Sequence, residues 1–93
     1  MNKYEIMFIV RPDVEDDARN TIIEGFKKIL TNDNGVIDNV NEWGLRDLAY
    51  EIKDYAKGYY VVVDTTTAPA NIAEFERLSR INANILRHLT LRR

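Results

Sequence analysis

The sequence predicts an α+β domain: a four-stranded antiparallel sheet carrying two helices on one face, in the chain order strand, helix, strand, strand, helix, strand. Three observations lead there. Residues 4–10 and 59–63 are short runs of aromatic and β-branched side chains, the material of strands. Apolar residues recur at three- and four-residue spacing over 18–30 and 72–81, the period of helices. Pro12, Asn34-Gly35 and Pro69 punctuate the chain between these runs.

Each element follows in turn. Tyr4-Glu5-Ile6-Met7-Phe8-Ile9-Val10 is rich in strand formers and is stopped by Arg11-Pro12, where the proline restricts its predecessor. Asp13 is placed to cap a helix, with Glu15, Asp16 and Asp17 in its first turn, where carboxylates meet unpaired amides and the positive end of the dipole. That acidic cluster is a helix start, not a metal site. Ala18, Ile22, Phe26, Ile29 and Leu30 mark the helix's apolar stripe, Lys27 and Lys28 its last turn, and Asn34-Gly35 its break. From Val36 to Ile52 no helical stripe emerges, so a long strand is expected, with Gly44 relieving a bulge between Trp43 and Leu45. A polar turn over Lys53-Asp54-Tyr55-Ala56-Lys57 leads into a strand from Gly58 to Thr67. Pro69 suits the first turn of a second helix, with Ile72, Phe75, Leu78 and Ile81 on one side and Glu76 and Arg80 one turn apart. A last strand is expected over Ile85 to Leu91.

Ninety-three residues suit a single domain, 1–93, and about 5,500 Å² of folded surface. With 45% hydrophobic and 30% charged residues, the composition is neither disordered nor collagenous. No cysteine is present to staple or react, and the apolar run Ile6–Val10 is too short to span a bilayer; a reducing, cytoplasmic setting without a membrane is expected. The net charge of −2 hides a polarity: residues 1–76 carry −7, whereas residues 77–93 carry five arginines and no acid. Such a positive pole can neutralise phosphates without making the whole chain basic.

With both helices on one side of the sheet, the other side becomes the functional question. Alternation divides Ile6, Phe8 and Val10 from Met7 and Ile9, and Tyr59, Val61 and Val63 from Tyr60 and Val62. If the first set packs under the helices, Met7, Ile9, Tyr60 and Val62 form an apolar partner face on the open side. A competing reading starts from Lys57-Gly58-Tyr59-Tyr60-Val61, a partial match to the stacking strand of an RNA-recognition motif, which needs Tyr59 exposed instead. The facing of Trp43, Leu89 and Leu91 stays open at this level. One serine, Ser79, and one histidine, His88, come without a nucleophile or metal motif, so no catalytic residue, cofactor or metal is expected.

Met1-Asn2-Lys3-Tyr4-Glu5, Trp43-Gly44-Leu45-Arg46-Asp47-Leu48-Ala49-Tyr50-Glu51-Ile52 and Lys57-Gly58-Tyr59-Tyr60, in this order and spacing, resemble the bacterial ribosomal protein S6 family over essentially the whole chain. The resemblance implies a ferredoxin-like split β-α-β fold and a non-enzymatic component of the small ribosomal subunit. It also implies binding to the central domain of 16S ribosomal RNA together with ribosomal protein S18, which would cover the apolar open face. It assigns RNA contact to Lys3, Arg46, Arg80 and Arg87, and less firmly to the terminal Arg92 and Arg93, which stand where a chain frays. The chain departs from the family pattern at Asn2, where a basic residue is common, at Glu51, where proline is common, and at Asp54, where lysine is common. The alternative is a homodimeric small-molecule-binding or catalytic domain of the same fold, its sheets enclosing a polar pocket.

Overall fold

A computed structural model describes residues 1–93. The elements are β1 (Asn2–Val10), α1 (Asp16–Leu30), β2 (Val36–Ile52), β3 (Tyr55–Thr67), α2 (Pro69–Ile81) and β4 (Ile85–Arg92). The four strands form one antiparallel sheet in the order β2-β3-β1-β4, with both helices on one face, the ferredoxin-like split β-α-β arrangement. The accessible surface, 5562 Å², matches the value expected for a folded chain of this mass. No helix is long and apolar enough to cross a membrane.

The period of two sorts β1 and β3 cleanly. Tyr4, Ile6, Phe8 and Val10 turn under the helices with Val61, Val63, Thr65 and Thr67, all of them buried. They meet Ile23, Phe26 and Leu30 of α1 and Ile72 and Phe75 of α2. Phe8, Phe26 and Phe75 form a triangle at its centre, with Phe26 set edge-on to both partners at 4.9 Å. Edge-to-face contacts of this kind add to the burial of the rings themselves.

A polar clasp joins the two helices to the sheet. Thr67, fully buried at the end of β3, donates from Oγ1 to the Leu30 carbonyl at 2.6 Å, capturing a carbonyl that the end of α1 leaves unpaired. Asn71 of α2 donates to the same Oγ1 and to the Asn32 carbonyl, both at 2.9 Å. Thr67→Val keeps the shape and removes the hydroxyl, leaving the Leu30 carbonyl and one N–H of the Asn71 amide without their partner. Chemical denaturation should show a loss of about 1–3 kcal/mol.

Several boundaries and pairings differ from expectation. Asp13 does not cap α1. Arg11 grips it through two hydrogen bonds, at 3.1 and 2.8 Å, which hold the Asp13 carboxyl below the usual carboxylate range, and the helix starts at Asp16 after Glu15, without a side-chain cap. Of the stripe expected in α1, Phe26 and Leu30 are buried, Ile22 and Ile29 half-buried and Ala18 exposed, while Ile23 joins the buried set. In α2 Ile81 is 66% exposed, since nine residues at about 100° each turn it to the side opposite Ile72. Arg77 pairs with Glu74, not Arg80 with Glu76. The expected five-residue turn is only Lys53-Asp54, both at positive φ (51° and 70°), a tight hairpin whose twist matches its strands and lets β3 begin at Tyr55.

Candidate protein- and RNA-binding face

The open side of the sheet is built in three cross-strand rungs. Asp64, Glu5 and Leu91 make one; Val62, Met7 and Leu89 the next; Tyr60, Ile9 and Arg87 the third. Trp43 of β2 stacks on Tyr60 of the third rung, ring centroids 6.0 Å and planes 10° apart, and lines the concavity over the first two. It reaches there because Gly44, at φ 83°, absorbs a register shift between Glu42 and Gly44 that resets the alternation of β2. Trp43, Leu89 and Leu91 therefore all belong to the open face, and each stays between 44% and 50% exposed. An apolar concavity lined by Met7, Trp43, Val62, Leu89 and Leu91, with Glu5 at its edge, adjoins a second one under the far part of β2.

Met7, Tyr60 and Val62 lie on this face and are half-buried. Ile9 shares the side but is only 2% exposed, because Leu48 and Leu86 pack with it around Gly58, where any Cβ would collide with the Ile9 side chain. Ile9 thus floors the second concavity instead of offering free surface. Tyr59 turns the other way. Its ring lies under the Arg19 guanidinium at 3.9 Å and its hydroxyl donates to Glu42 at 2.9 Å. Burial pushes that hydroxyl above its ordinary pKa, Glu42 adds to the shift and Arg19 opposes it. The exposed Tyr59 platform that an RNA-recognition motif requires is absent, because the parity that buries Val61 and Val63 carries Tyr59 with them.

The six cations expected at RNA separate into groups. Lys3, Arg46 and Arg87 fall on the open side or its rim, and none of them forms an ion pair. Arg46 donates to the Trp43 carbonyl at 3.3 Å and stands 5.9 Å from the Trp43 ring centroid. Arg93 is on the same side, but it donates to Glu5 at 2.7 Å and lies 3.9 Å from Asp64. There it offsets two like charges set directly opposite each other. Arg92 points to the helix side and donates to Asn2 at 3.1 Å, and Arg80 is an exposed residue of α2. The last two are not brought together with the rest.

Sequence reasoning missed Tyr50, which is 63% exposed and accepts a hydrogen bond from Arg87 at 2.7 Å. Nothing local signals a contact between residues 37 positions apart. His88 packs edge-on against Phe75 at 6.0 Å and Ser79 is 3% exposed within α2, so both serve the core. No group of three or more His, Asp or Glu side chains is gathered as metal ligands would be.

Two comparisons agree with this geometry. A family model described as Ribosomal protein S6 matches residues 3–92. The crystal structure of 30S ribosomal protein S6 from Thermotoga maritima superposes with a TM-score of 0.91 at 38% identity, covering 99% of this chain and 87% of that one. The chain therefore belongs to the ribosomal protein S6 family, whose members are structural and not enzymatic, and that membership supports a role in the small ribosomal subunit.

Proposed function

We propose that this chain binds the central domain of 16S ribosomal RNA together with ribosomal protein S18, in the cytoplasm and on the ribosome. S18 covers the concavity of Met7, Trp43, Val62, Leu89 and Leu91 on the open sheet face, and the unpaired cations at the rim of that face hold phosphates. The observation that carries the reading is the apolar cluster of Met7, Val62, Trp43, Leu89 and Leu91, laid open on a sheet whose other face is closed by both helices. A contiguous exposed apolar surface of this kind on a small domain marks a partner. Lys3, Arg46 and Arg87 are the RNA contacts this arrangement favours; Arg93 serves first as the counter-ion of Glu5 and Asp64.

The test is calorimetric titration of the chain into purified S18, followed by the central-domain RNA fragment. Saturable one-to-one association that strengthens RNA capture is the expected result. Self-association of the chain through its sheet, with no heat on adding S18, would replace the reading with the homodimeric one.

A further inference from the structure

Between the rung that pairs Asp47 with Lys57 and the one that pairs Ile52 with Tyr55, β2 spends four residues, Leu48–Glu51, against the single β3 residue Ala56. The excess chain leaves the ladder and folds over the open face. Leu48 roots it beside Gly58, and Ala49, Tyr50 and Ile52 wall the second concavity. Bulges of this sort re-aim side chains, and here the side chain delivered is Tyr50. It arrives next to Arg87, which rises from β4 opposite Ile9. The Arg87 Nη1 donates to the Tyr50 Oη at 2.7 Å.

The chemistry of this pair is specific. A guanidinium carries five N–H donors in a planar fork, and a phenol takes one of them while neutralising nothing. Arg87 has no carboxylate partner in a chain with fifteen acidic residues, so its full charge stays available. Lys53, whose Nζ reaches the Ile85 carbonyl at 3.5 Å near the start of β4, is likewise without an ion pair. Tyr50 remains 63% exposed, which leaves its ring able to take a flat partner. A fixed, unneutralised guanidinium beside an open aromatic ring matches an unpaired nucleotide, which offers a phosphate and a base a short distance apart.

We propose that Tyr50 and Arg87 act as one RNA-contacting unit, the phenol orienting the guanidinium toward a phosphate and offering its own ring to an unpaired base. The inference rests on the ribosomal RNA reading above and names a residue and a ligand chemistry within it. Tyr50 is thus both a contact and a positioning residue. Holding the long arginine side chain in advance lowers the ordering cost of binding.

The experiment uses the preformed complex with S18 and the central-domain RNA fragment, comparing wild type with Tyr50→Phe, Tyr50→Leu, Arg87→Ala and the Tyr50→Phe/Arg87→Ala double variant. Tyr50 is exposed, and circular dichroism confirms folding of each. Tyr50→Phe keeps the ring and frees the arginine, so RNA affinity should fall roughly three- to ten-fold. Tyr50→Leu also removes stacking and should cost about ten-fold or more. The double variant should bind no worse than Arg87→Ala alone, since the hydroxyl acts through the arginine. Affinity for S18 should not change in Tyr50→Phe. RNA binding by Tyr50→Phe equal to wild type, or losses that simply add to those of Arg87→Ala, would overturn the proposal. So would a loss confined to S18 affinity, which would give this corner of the face to protein. Failure of the wild-type complex to bind RNA is a separate result, removing the underlying reading before any variant is compared.

Discussion

Val62→Glu is expected to abolish association with S18 at micromolar concentrations while leaving the free chain folded. Val62 sits in the middle rung of the open face, across from Met7 on one side and Asn41 on the other. Its half-exposed position leaves room for a carboxylate to reach water in the free protein. Once S18 covers the concavity, that carboxylate becomes a buried charge with no partner, since the surrounding wall is Met7, Trp43, Leu89 and Leu91. Breaking charge balance in this way costs about 3–5 kcal/mol, more than a hundred-fold in affinity. Calorimetry reads the association and circular dichroism the fold. Val62→Glu bound by S18 as tightly as wild type would show that the partner docks elsewhere.

Phe75→Ala should have the largest effect on stability. Phe75 is fully buried and touches Phe8, Phe26 and His88, so its loss opens a cavity at the one place where both helices and the sheet meet. Truncations of this type cost about 3–5 kcal/mol. A domain of this size has about 5–14 kcal/mol in total, so a wild type near the lower end would leave the variant only about 0–2 kcal/mol, enough for a measurable unfolded fraction. Phe75→Leu fills most of the space and should lose clearly less, which keeps the comparison readable if the alanine variant cannot be purified. Urea midpoints for the two substitutions that differ little would overturn the cavity account and place the loss in the aromatic contacts rather than in the volume.

Most of the architecture was legible because it depends on short-range periods. Ile6, Phe8 and Val10 had to share a face, and Val61, Val63 and Thr65 had to share the one opposite Tyr60 and Val62. What two-residue alternation could not supply was which set went under the helices. Here the partial match around Lys57-Gly58-Tyr59 argued against the hydrophobic pattern, and burial of the β-branched set decided it. The positions left open, Trp43, Leu89 and Leu91, lie beyond irregularities: Gly44 resets the parity of β2, and a shift between Ile9 and Val10 offsets β4. The cover over Ile9 and the approach of Tyr50 to Arg87 arise from the Leu48–Glu51 excursion, whose geometry depends on packing against strands distant in sequence. Side-chain pairing was the weakest inference. Asp13 could cap a helix or meet Arg11, and the nearby guanidinium, with two donors in line, outcompeted the backbone amides.

The place of β1 in the sheet governs the order in which the chain can fold. Its neighbours are β3 and β4, so the strand that opens the fold pairs with the one that closes it: Tyr4 stands opposite Arg92, and the Arg93 amide donates to the Lys3 carbonyl at 2.9 Å. During synthesis the β2–β3 hairpin can form early, but β1 keeps one edge unsatisfied until the final strand leaves the exit tunnel. Closing so long a loop is entropically slow, and an open apolar edge invites pairing with other chains while it waits. The protein's vulnerable interval therefore runs from the emergence of Thr67 to the emergence of Arg92, when three strands are free to pair and the fourth is not.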